Sequence, residues 1–146
     1  MKNSIINKNI IRTTLILSVI LFLISLTQMS FCTNGRCQND GFTNLLMGWF
    51  TVFMLYPIGM VWLANPILFF SWIKFKNKPK TSLVSSVISL ILMLSFLLFD
   101  EVVNNEAGVP KKITSIKLGY WLWVSSALIM VVGNAFLFYK KNKGIY

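Results

Sequence analysis

Two groups of residues in this chain have reactive potential: a cysteine pair, Cys32 and Cys37, and four carboxylates, Asp40, Asp100, Glu101 and Glu106. There is no histidine. A thiol electron relay needs a C-x-x-C pair and a second pair to pass electrons to. This chain has one pair, spaced C-x₄-C, and no other cysteine. The pair flanks Thr33-Asn-Gly-Arg36, and Asn-Gly is a strong turn signal. The spacing therefore predicts a disulfide that closes a short loop in an oxidising compartment.

The carboxylates are no better placed for catalysis. General acid–base work needs a positioned titratable group, and all four acids lie between the apolar segments of the chain. A Ca²⁺ set from Asp100, Glu101 and Glu106 matches no known binding-loop spacing. Buried ionisable groups mark proton relays and ion-coupled transport, and no charged residue lies inside any of the four long apolar runs. The sequence thus argues against ion-coupled export, intramembrane proteolysis and metal-dependent lipid chemistry. It reads as a non-enzyme without metal or cofactor.

Those apolar runs are the elements that position everything else. Of 146 residues, 55% are apolar and 12% charged, against about 25% charged in a soluble domain; the mean hydropathy is +0.68. A spanning helix needs about 20 mainly apolar residues. The candidates are 13–31, 44–73, 81–99 and 118–139. Backbone groups in hydrocarbon must be satisfied internally, so each is expected to be helical. The expected architecture is all-α: one four-helix transmembrane domain over residues 1–146. The first run is too long for a signal-peptide core and no A-x-A site follows it, so it is expected to persist as a helix.

Charge placement orients the bundle. The net charge of +10 would suggest nucleic acid in a soluble protein, but here it follows the loops, so no nucleic-acid partner is expected. Lys2, Lys8, Arg12, Lys74, Lys76, Lys78, Lys80, Lys140, Lys141 and Lys143 fall on one face without any acid. Arg36, Lys111, Lys112 and Lys117 share the other face with all four acids. Basic segments stay cytoplasmic, which predicts both termini and the 74–80 loop inside, and loops 32–43 and 100–117 outside. Trp49, Phe50, Tyr120, Trp121 and Trp123 mark the outer interface; Trp72, Phe138 and Tyr139 mark the inner one.

Lipid is as apolar as leucine, so small residues and interhelical hydrogen bonds must hold the helices together. Ser82, Ser85, Ser86 and Ser89 share one face of the third helix; Gly119, Ser126 and Gly133 follow heptad spacing in the fourth. A stripe of Thr14, Ser18, Ser25 and Gln28 does the same in the first. These stripes should face protein, and their number suggests a homo-oligomer. The second helix is the odd element. Its thirty residues would run about 45 Å, and it contains Pro57, Asn65 and Pro66. A proline deletes a backbone donor, so a kink or unwound turn is expected near Pro57 or Pro66.

Three short stretches, Trp62-Leu-Ala-Asn-Pro66, Val103-Asn-Asn-Glu-Ala-Gly108 and Gly119-Tyr-Trp-Leu-Trp123, resemble a set of small bacterial four-helix membrane proteins. That resemblance implies a bacterial inner membrane and carries no activity. At the level of architecture the chain is also similar to membrane subunits of antiphage systems such as Kiwa, and to four-helix immunity proteins against pore-forming bacteriocins. Three roles follow as expectations. The first is a membrane sensor or anchor that recruits an acidic cytoplasmic protein, or binds anionic lipid, through Lys74, Lys76, Lys78, Lys80, Lys140, Lys141 and Lys143. The second is an immunity protein acting within the lipid bilayer. The third is a small channel or transporter.

Overall fold

The computed structural model describes residues 2–53, 57–103 and 109–142, with side chains described from Lys8 to Lys140 within those ranges. Lys143, Glu106 and the rest of the 104–108 stretch lie outside the described residues, as do the side chains of Lys2 and Lys141. The order of elements is α1 (Lys2–Leu26), β1 (Met29–Thr33), β2 (Arg36–Asp40), α2 (Gly41–Phe53), α3 (Gly59–Trp62), α4 (Ala64–Lys74), α5 (Pro79–Ser95), β3 (Glu101–Val102), β4 (Lys111–Ile116) and α6 (Leu118–Asn142). A single 3₁₀ turn, Phe96–Leu98, follows α5.

Three helical stretches, Lys8–Leu26, Pro79–Leu98 and Leu118–Lys140, are long and apolar enough to cross a membrane. Their burial pattern is that of a protein dissolved in hydrocarbon. Ile16, Leu17, Ile20, Val84, Ile91 and Val132 are exposed, whereas Ser18, Ser82, Ser86, Ser89 and Ser126 are completely buried. A soluble monomer rarely exposes so continuous an apolar surface. This is a membrane protein.

The expectation of an all-α chain is corrected by a four-stranded sheet of order β2-β1-β4-β3. The first apolar run stops being helical at Leu26, and its last residues become β1. Strand β1 pairs antiparallel with β2 on one side and with β4 on the other. The two ladders give its backbone groups partners outside the helix. Asn34 and Gly35 both have positive φ (49° and 77°), which a two-residue hairpin turn of the inverted type requires. The turn also docks on β4: Asn34 Oδ1 accepts from the Lys112 N–H at 3.1 Å, and the Asn34 N–H donates to the Lys112 carbonyl at 3.0 Å. Loops 32–43 and 100–117 thus meet in one sheet at a single end of the bundle.

The second apolar run is three helical pieces rather than one long helix. In a straight helix residues 48 and 62 would stand about 21 Å apart. Instead Gly48 abuts the Trp62 ring and Gly59 abuts the Thr51 backbone, so α2 folds back along α3. The α3–α4 joint has a local cause. Pro66 has no N–H to give the Trp62 carbonyl, and the Asn65 side-chain amide takes that place at 3.0 Å.

The core runs between α1, α4, α5 and α6. Trp72 Nε1 donates to Ser18 Oγ at 2.9 Å, and Ser18 Oγ donates to the Ser126 carbonyl at 2.8 Å, joining α4, α1 and α6. Phe22, Leu68, Met93, Met130 and Leu137 fill the space around these contacts.

Candidate functional site

The two ends of the bundle differ in chemistry. Lys76, Lys78 and Lys80 are exposed and Lys74 is half-buried, at the end opposite the sheet. Lys74, Lys80 and Lys140 place their ammonium groups 5.2, 6.0 and 5.1 Å from the Phe70, Phe138 and Phe136 ring centroids. A cation over an aromatic face at that range is favourable. No acid occupies this end among the described residues.

The sheet end holds the described acids. Asp40 is committed structurally: its Oδ1 accepts the Thr43 N–H at 2.7 Å and caps α2. Cys32 and Cys37 oppose each other across the hairpin at disulfide distance, with Cα atoms 4.2 Å apart. No group of three metal-ligating side chains occurs among the described residues.

The serine stripes divide into two kinds. Ser82 pairs with Ser71 of α4, their hydroxyls 2.9 Å apart, and Ser89 Oγ donates to the Ala64 carbonyl at 2.9 Å. Ser85, Ser86 and Ser126 donate back to carbonyls of their own helices, at Thr81, Leu83 and Trp123. Those three serve by being small. Gly133 lies against the Thr14 side chain, and Gly119 against the Gln28 and Met29 carbonyls. The single chain buries Ser82, Ser86, Ser89 and Ser126 by itself.

What sequence reasoning missed is a cavity of about 730 Å³ beneath the sheet. Helices α2 and α3 form one wall; the ends of α1 and α6, strand β1 and the 3₁₀ turn at Phe96 close most of the rest. Among the described residues no charged side chain lines it. Its polar atoms are largely committed to one another. Trp123 Nε1 donates to Asn65 Oδ1 at 2.9 Å, and Trp62 Nε1 donates to the Leu45 carbonyl at 2.9 Å. Tyr120 Oη donates to the Met93 carbonyl at 3.0 Å.

Helix α2 is the movable-looking member of this wall, since none of its residues is fully buried. Phe42, Leu46, Met47, Trp49, Phe50 and Phe53 are exposed, while Asn44, Leu45, Gly48 and Thr51 turn toward the protein. Apolar outward and small or polar inward is the order expected of a helix whose outer face meets lipid. That periodicity was present in the sequence as a signal. It is lost when 44–73 is taken as one spanning unit. No protein-family model, curated protein or solved structure matches the chain.

Proposed function

We propose that this is a non-enzymatic, multi-pass protein of the bacterial inner membrane, with both termini cytoplasmic. It acts as an anchor or sensor that holds an acidic soluble protein at its basic face, and antiphage defence is the setting its architecture suggests. The observation that carries this reading is the segregation of charge. Asp40, Asp100 and Glu101 gather with the sheet, while the opposite end presents Lys76, Lys78 and Lys80 to solvent. Such clusters attract anionic partners within about a Debye length of the surface.

Topology and recruitment are tested separately. A phosphatase reporter fused after Asn77 should be inactive, and one inserted beside Val109 active; the reverse pattern removes the orientation. For recruitment, Lys76, Lys78 and Lys80 are changed together to Gln. Lys2, Lys8, Arg12 and the 140–143 lysines remain to hold the topology. A genuine partner co-purifies with the unaltered protein in a salt-dependent way and is lost from the variant. Equal recovery with both proteins sinks the proposal.

A further inference from the structure

We infer that the cavity under α2 is a binding site for an uncharged acyl lipid with an ester-and-hydroxyl head, of the diacylglycerol class. This goes beyond the basic face and does not depend on it. At about 730 Å³ the space falls within the range of ligand sites, roughly 300–1,000 Å³. Four features select the occupant. Met47 and Phe50 line the cavity and are also exposed, so its mouth is apolar and opens where the outer face of α2 meets lipid. Its deeper walls are Val61, Phe96 and Tyr120, with Tyr120 and the two indoles satisfied by internal bonds, so an apolar chain meets no unpaired polar group there.

Among the described residues the lining offers no charge to pair with an anionic headgroup, which would be desolvated there without compensation. Ser30, Thr43 and Asn44 lie where β1 and the start of α2 line the cavity, and they offer hydroxyl and amide groups to ester carbonyls and a hydroxyl. A partner helix does not fit. At about 10 Å in diameter it would fill the volume within roughly 9 Å, fewer than two turns. A flexible hydrocarbon chain can adapt to a space of this volume.

The test uses the full chain in nanodiscs of phosphatidylethanolamine and phosphatidylglycerol. A minor fraction of lipid carries a photoactivatable diazirine on its acyl chain, either as diacylglycerol or as phosphatidylglycerol. Labelled peptides are mapped by mass spectrometry. The proposal expects the diacylglycerol probe to label the stretch around Val61 and Trp62 and the 3₁₀ turn at Phe96, saturably. Excess unlabelled diacylglycerol should compete it away and phosphatidylglycerol should not. Thr51→Phe, which puts an aromatic ring into the cavity, should lower that labelling by about tenfold. Asn44→Asp, which adds a charge to the lining without adding bulk, should do the same, and it decides the matter if Thr51→Phe does not fold. Labelling confined to the outward faces of α1 and α6 overturns the inference. So does equal labelling of the cavity by both probes, or labelling that survives Asn44→Asp.

Discussion

The indole N–H of Trp123 donates to the side-chain oxygen of Asn65 across 2.9 Å, and the Asn65 amide donates in turn to the Trp62 carbonyl at 3.0 Å. One asparagine therefore links α6 to the joint between α3 and α4. It also supplies the donor that Pro66 lacks. From Trp62 the chain of bonds passes to the Leu45 carbonyl, and so to α2.

Removing one link should cost less than removing the centre. Trp123→Phe deletes a single interhelical bond and should lower stability by about 0.6–2 kcal/mol. Asn65→Ala leaves the Trp62 carbonyl and the Trp123 N–H both unpaired in a buried setting, and each is worth about 1–3 kcal/mol. Thermal unfolding of the detergent-purified protein should show the larger drop for Asn65→Ala. Equal drops would mean the asparagine does not serve both partners.

The α1–α6 contact depends on the missing side chain at position 133. A Cβ there would meet the Thr14 side chain, so Gly133→Ala should destabilise by about 1–3 kcal/mol through overpacking. Thr14→Ala removes the atoms in the way. The double variant should recover more than half of the lost melting temperature. No recovery would show that α1 and α6 are held apart by something else.

Asn134 is fully buried, its amide donates to the Met130 carbonyl at 2.8 Å, and its Oδ1 has no partner among the described residues. An unsatisfied buried acceptor costs about 1–3 kcal/mol. Asn134→Leu keeps the same branched heavy-atom skeleton and has no polar atom, so it should raise the melting temperature. A fall would indicate that Oδ1 is hydrated or engaged in the membrane.

The Cys32–Cys37 link spans a sequence separation of only 5. For so short a loop the entropic gain is about 2 kcal/mol. Reductant, or Cys32→Ser with Cys37→Ser, should lower stability by about that amount. The Asn34–Gly35 turn should persist, because its positive-φ geometry and its bonds to Lys112 do not involve sulfur. Amide exchange at Asn34 and Lys112 would check this: protection retained after reduction is the expected result.

The sequence made some of this legible and hid the rest for physical reasons. Segments 81–99 and 118–139 carry unbroken apolar runs with serine and glycine on one side, and that pattern is local. Pro66 and Asn65 could be read for the same reason, since a missing N–H acts within one turn. Strand β1 could not. Met29, Ser30 and Phe31 continue an apolar helix by composition, and become a strand through pairing with residues near 113–116, more than eighty positions away. The fold-back of α2 was equally hidden: Pro57 announces a break, but the direction of the chain after it is set by Gly48 meeting Trp62 and Gly59 meeting Thr51. The cavity is lined by residues spread from Ser25 to Trp123, so no single stretch of sequence encodes it.

The pairing of β1 with β4 bears on how the protein is made. The Thr114 hydroxyl donates to the Cys32 carbonyl across 82 residues of chain. At 5–20 residues per second the ribosome needs roughly 4–16 s to supply that second neighbour. During that interval the nascent hairpin shows an unprotected edge, of the kind that invites pairing with a foreign strand. Cross-linked cysteines would hold the hairpin in register through the wait, until β4 arrives to complete the sheet.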